Sequence, residues 1–301
     1  MNPTLALMQR EWLQYRFTWM LLLLIPVGLA ALALVFGQVD VQTDSGLPPP
    51  LALAAGAMAV TLVALTVLAG VSGLITVIGL ARRDHADRSV EFWLSLPISH
   101  TRSLLVPMVV HLVLVPLATF GVALLVGVLM ATLLVARVHG LSGGVDLPAG
   151  EVLASVAVAL VRVGAGWPMA VLWVSPLILL AMLMFAWLRR WGLVVLGLAL
   201  SLGSSRLGEI LGYRMVPDAL SALAQGAARS LISGHQTVIM PSEPDAAVRF
   251  SMQQAPSWLL QDLLGSLQNL ASPAFAGGLV VAALCFYGLV QWRRRGASTA
   301  V

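Results

Sequence analysis

Long uncharged, mostly apolar runs alternate with short clusters of charge along the chain. The runs cover residues 17–39, 45–81, 103–136, 163–188, 191–205 and 263–292. A helix needs about 20 apolar residues to cross the roughly 30 Å hydrocarbon core of a bilayer. Trimmed at turn residues, the runs predict membrane spans near 17–36, 51–80, 104–134, 168–188, 191–211 and 274–292. The fifth is the shortest, reaching Arg206 and Glu209 early; it reads as a short span or as a helix whose far end lies in a polar protein interior. The second and third are longer than a crossing needs, which calls for tilt or a break. Gly70, Gly73 and Gly79 loosen the second, and Pro107 and Pro116 are placed to kink the third.

Several segments between the spans carry patterns of their own. In residues 1–16, Leu5, Met8, Trp12 and Tyr15 recur at helical spacing among Arg10, Glu11, Gln14 and Arg16. That suits an amphipathic helix in the membrane interface, with Trp12, Tyr15 and Trp19 at headgroup depth; a plain extension of the first span is the other reading. Residues 82–102 lead from a mixed-charge patch into a short apolar run that Pro97 ends. Asp87 or Ser89 can cap a helix there, and Glu91 near its start suits the macrodipole. About two turns of helix carrying Phe92, Trp93 and Leu94 would offer a partner something to grip. The alternative is a surface turn with no partner. Residues 137–167 read as a glycine-containing loop followed by an interfacial helix. In 205–273 two amphipathic helices start near Pro217-Asp218 and Pro256-Ser257, with a polar loop between them. They either cap a cavity or lie on the membrane.

Composition agrees with this pattern. The chain is 59% hydrophobic and 10% charged, against about 25% charged for soluble domains. All 17 basic residues are Arg. Without Lys there is no P-loop for ATP and no Schiff-base chemistry. The single Cys285 excludes an intrachain disulfide. The charge is sparse and forms no basic stripe with interleaved aromatics, so no nucleic-acid partner is expected. Arg placement sets the expected orientation. With the N-terminus inside, eleven Arg and only four acids fall on the cytoplasmic side, while six Arg and nine acids fall outside. Every span then has an Arg within two residues of its inner end, which favours an even count with both termini cytoplasmic.

The sequence carries little recognisable catalytic or metal-binding chemistry. There is no H-E-x-x-H, and the five His lack metal-ligand spacing. Gly140-Leu141-Ser142-Gly143-Gly144 matches a nucleophile elbow only formally, since no strand precedes it. No metal site, cofactor or catalytic residue is assigned. His111, about seven residues into the third span, is a candidate intramembrane polar site; a neutral, hydrogen-bonded His is the blander reading.

Arg88-Ser89-Val90-Glu91-Phe92-Trp93-Leu94-Ser95-Leu96-Pro97-Ile98-Ser99 resembles the coupling region of permease subunits of ABC-2-type ABC transporters, and Met8-Gln9-Arg10-Glu11-Trp12 resembles that family's Arg-Glu approach to the first span. The resemblance implies an all-α polytopic membrane protein of the ABC-2-type exporter fold. Its parts would be an interfacial helix over 1–16, a six-span domain over 17–301, a coupling helix over 87–99 and an outer helical region over 205–273. It also implies a bacterial cytoplasmic (inner) membrane location. The partners would be a separate ABC-type ATPase subunit, a second copy or a similar permease, and membrane lipid. Phe92, Trp93 and Leu94 would anchor the ATPase contact, and Asp87, Arg88 and Glu91 would set its register, with Ser89, Pro97 and Ser99 completing the motif. An intramembrane enzyme, or a secondary transporter working without an ATPase, is the competing expectation.

Overall fold

The computed structural model describes residues 3–38, 47–86, 99–140, 149–188, 191–205, 215–231 and 243–298. Among them every regular element is helical: α1 Pro3–Phe36, α2 Pro50–Ala86, α3 His100–Val109, a π-helical turn Val110–Leu114, α4 Val115–His139, α5 Ala149–Leu188, α6 Gly192–Ser205, α7 Met215–Leu231, α8 Pro244–Leu270 and α9 Pro273–Ser298. Five runs are long and apolar enough to cross a bilayer: Thr4–Phe36, Pro50–Leu80, His100–His139, Val152–Leu188 and Pro273–Arg294. The chain is an all-α, multi-pass membrane protein. Helix α6, at 14 residues, is shorter than a full crossing needs, and residues 206–211 of the expected fifth span lie outside the described residues.

Close contacts fix the helix directions. Gly127 of α4 lies against Met58 of α2 while Gly73 of α2 lies against His111, so α2 and the third span run antiparallel. The Trp173 ring meets Phe275 at 5.0 Å in a tilted arrangement, Pro176 meets Gly278, and Leu183 meets Gly288. Helices α5 and α9 therefore run parallel, and the chain between them must return along their length. The main core lies where α2, α3, α5 and α9 converge; Val77, Leu104, Met182 and Leu289 are at its centre. A second cluster of Trp173, Leu223 and Phe275 joins α5, α7 and α9.

Three boundaries differ from the sequence reading. Helix α1 runs unbroken through position 17, because no breaker separates the amphipathic turns from the apolar ones. Helix α5 absorbs the expected interfacial segment and continues through Pro168. A proline removes one backbone bond, and tight packing of Gly166 and Trp167 against neighbouring helices holds the helix across it. Helix α8 starts at Pro244, in the expected polar loop, and carries Pro256 inside it. Neither α7 nor α8 stands apart as a lid: both pack on α5, and α8 also reaches α2.

Prolines in these helices orphan carbonyls, and side chains recover them. Pro116 cannot donate to Leu112, four residues back, and Trp167 Nε1 donates to that carbonyl instead at 2.7 Å. Pro176 does the same to Leu172, whose carbonyl accepts from the Ser175 hydroxyl at 2.7 Å. Inside a bilayer no water is present to do this, so such replacements are required.

Candidate functional site

Of the seven described polar residues that the apolar fold buries, five gather in two places; Thr66 and Thr119 lie apart. The first is at the π-helical turn. Val115 N–H bonds to Val110 C=O, five residues back, which widens the third span between Pro107 and Pro116. The wide turn pushes the His111 carbonyl against Gly73, where any Cβ would collide with it. On the opposite side His111 Nε2 meets Glu11 Oε2 at 3.1 Å, with the two side chains 1% and 0% exposed. A carboxylate only accepts, so the ring proton is assigned to Nε2. Tyr15 and Trp19 cover the imidazole edge-on at 4.8 and 5.6 Å between ring centroids.

The α1 side of this site is a stripe at i+4 spacing: Leu7, Glu11, Tyr15 and Trp19. Leu7, Met8 and Trp19 pack on Val106, Val110 and Val115. Beyond Glu11 no described residue of α1 is buried. The fully buried anchors of α1 are therefore in its first turns, with Tyr15, Trp19 and a half-buried face continuing the contact beyond them. Chemically, a buried carboxylate–imidazole pair can hold a proton between two bases, and it ties the helix that starts the chain to the one that follows residues 87–99.

The second cluster centres on Arg162 of α5. Its guanidinium pairs with Asp262 of α8 and donates to the carbonyls of Ser230 and, at 3.2 Å, Arg229, in the last turn of α7. It also reaches the Ser266 hydroxyl at 3.3 Å, which in turn donates to Arg229 C=O. A cation at a helix C-terminus satisfies carbonyls that have no partner in the helix and complements its dipole. Gly166 and Gly226 let α5 and α7 approach: a Cβ at either would strike Ser230 O or the Trp173 ring. One Arg thus clamps three helices. Nearby ends are tied in a similar way: Asp245 of α8 accepts from Ala52 N–H at 2.9 Å, capping the start of α2, and His139 Nε2 donates to Pro48 C=O at 3.1 Å.

Of the residues expected to contact an ATPase, Asp87, Arg88, Ser89, Glu91, Phe92, Trp93, Leu94 and Pro97 lie outside the described residues. Ser99 is described, and its hydroxyl caps α3 by accepting from Arg102 N–H at 3.3 Å. Arg293 of α9 donates to the Ser103 hydroxyl at 2.8 Å, joining the end of α9 to the start of α3. Of the Arg10-Glu11-Trp12 triplet, Glu11 faces inward and Trp12 is exposed. His111, singled out as a lone intramembrane group, has Glu11 as its partner; nothing in the spacing of the two announced the contact. Arg162 appeared only as an outer charge, although it is the sole charge between Glu151 and Arg189. Among the described residues no three His, Cys, Asp or Glu side chains converge on one point. Comparison with protein-family models, curated proteins and solved structures finds no match.

Proposed function

We propose that the chain is the transmembrane permease subunit of an ATP-driven ABC exporter of the ABC-2 type. It works as a dimer with a second copy or a similar permease, and ATP is hydrolysed on a separate subunit. The observation that carries this reading is the 82–102 sequence between the second and third spans, with its mixed charges, the Phe92-Trp93-Leu94 cluster and the Leu96-Pro97-Ile98-Ser99 ending. Its chain context supports a coupling role. Residue 99 caps α3, and twelve residues further on α3 and the π-helical turn bring His111 to Glu11. A push on residues 87–99 would travel along one helix into α1. The parallel α5 and α9 support a sixth crossing through α6, which rises about 21 Å before residues 206–214. Both termini then lie on the cytoplasmic side of a bacterial inner membrane, as the Arg asymmetry favours.

The test is co-purification of the full-length chain. An ATPase subunit is expected to come down with it, and Glu91→Arg combined with Trp93→Ala is expected to release it. Full retention by that variant would sink the coupling assignment. One observation favours a second reading. Glu11 and His111 form a buried ionisable pair against the third span, as a proton-driven secondary transporter would have. Transport by the chain alone, driven by a proton gradient and needing no nucleotide, would select that reading.

A further inference from the structure

Past Trp19, α1 stays against α2 and α4 through a half-buried face that includes Leu23, Val27, Ala31 and Leu34. An apolar groove of about 810 Å³ opens between it, α2 and α4, lined chiefly by Ala30, Ala33, Ala52, Gly56, Ala57 and Leu134. We infer that this groove holds one acyl chain of a membrane phospholipid whose phosphate rests on Arg137.

Three features select that occupant. The lining is mostly aliphatic; of its two polar side chains Gln38 is at one end and Thr61 already donates to Ala57 C=O, so the groove offers few partners for water, and the fluid beside it is hydrocarbon. Its length fits one leaflet. Along α2 it runs from Ala52 to Thr61, about 13 Å of helix, and half of a roughly 30 Å hydrocarbon core is about 15 Å. It also occupies the ends of the first three spans that face away from the chain's start, so it opens at a headgroup layer. That mouth carries both signs: the Asp245 carboxylate accepts from Ala52 N–H where α2 starts, and a guanidinium stands on the α4 side. Met130 and Leu134 line the groove from α4, and Arg137 follows on the same helical face one turn further out, where it is exposed. An apolar slot with a guanidinium at its rim complements a tail with an anionic phosphate above it, and Arg binds phosphate well. A second copy of the chain, the main rival occupant, would have to bring one of its outer-side acids to Arg137 to meet that charge.

The consequence is structural as well as chemical. The lipid chain would fill the space beside the half-buried contact of α1 with α2 and α4, supporting the far half of α1.

The experiment uses the full-length protein in nanodiscs of phosphatidylethanolamine and phosphatidylglycerol. A trace of phosphatidylglycerol carries a diazirine midway along one acyl chain. Irradiation is expected to concentrate adducts on residues 30–34 and 52–61. Ala57→Trp fills the groove. So does the milder Gly56→Leu, whose first side-chain carbon meets no atom within 4 Å. Either is expected to lower labelling there several-fold while the exposed 63–71 face of α2 keeps its label. Arg137→Gln is expected to weaken groove labelling as well; labelling at full strength in that variant overturns the phosphate contact. Labelling spread evenly over the exposed helices and unchanged by both filling variants overturns the site. Disulfide-linked dimers of Ala33→Cys, made with Cys285→Ser, also overturn it by putting a second copy in the groove.

Discussion

Replacing Glu11 by Ala tests whether α1 is pinned at one point. Glu11 and His111 are almost completely buried, 3.1 Å apart. Removing the carboxylate leaves the imidazole N–H without its acceptor, which costs about 1–3 kcal/mol. An ionised pair raises the cost of breaking it to about 3–5 kcal/mol. On α1 only Leu7 is otherwise fully buried, so little else compensates. With each 1.4 kcal/mol worth about tenfold, the equilibrium between docked and detached α1 is expected to shift by about fivefold or more. The assay places spin labels at Gln9 and Leu105, both exposed, in a Cys285→Ser background. Glu11→Ala is expected to broaden the measured distance distribution towards longer values. A double-mutant cycle with His111→Ala, read by reversible unfolding in mixed micelles, is expected to show a coupling of about 0.5–3 kcal/mol. An unchanged distance distribution together with additive single mutants would refute the latch.

The Arg162 clamp makes a different prediction. Arg162→Met strands Asp262 and is expected to cost about 3–5 kcal/mol, whereas adding Asp262→Leu restores much of the loss; a melting series in which single and double variants fall equally would contradict this. Two glycine substitutions are expected to move stability in opposite directions. Gly226→Ala drives a methyl into the Trp173 ring and is expected to cost about 1–3 kcal/mol. Gly197→Ala, with nothing within 4 Å, is expected to be neutral or to stabilise by up to about 1 kcal/mol. Thermal unfolding of the two side by side decides it.

The helical, membrane-spanning class was legible because it rests on run length and charge alone. The runs beginning at 17, 45, 103 and 263 all hold helices that can cross a bilayer. The ends were less legible. Pro168 and Pro256 look like breakers locally, yet α5 and α8 pass through them; at Pro168 packing of Gly166 and Trp167 outweighs one lost backbone bond, whereas Pro256 is exposed. The candidate site was half legible. An ionisable His in an apolar run attracts attention by itself, and so does the Arg10-Glu11 pair.

By itself, then, the sequence determined that this chain lives in a membrane, that its spans are helices, and that its charges favour one side. These follow from transfer free energy and backbone hydrogen bonding, which act residue by residue. Only the tertiary structure decided that Glu11 meets His111 across 100 positions, that Arg162 closes the end of α7, and that α1 stands off a groove beneath Arg137. Those contacts depend on which helix faces lie together and at what height. In a bilayer apolar faces are nearly interchangeable, so small residues and a few buried polar pairs set that arrangement, and their partners appear only once the helices are packed.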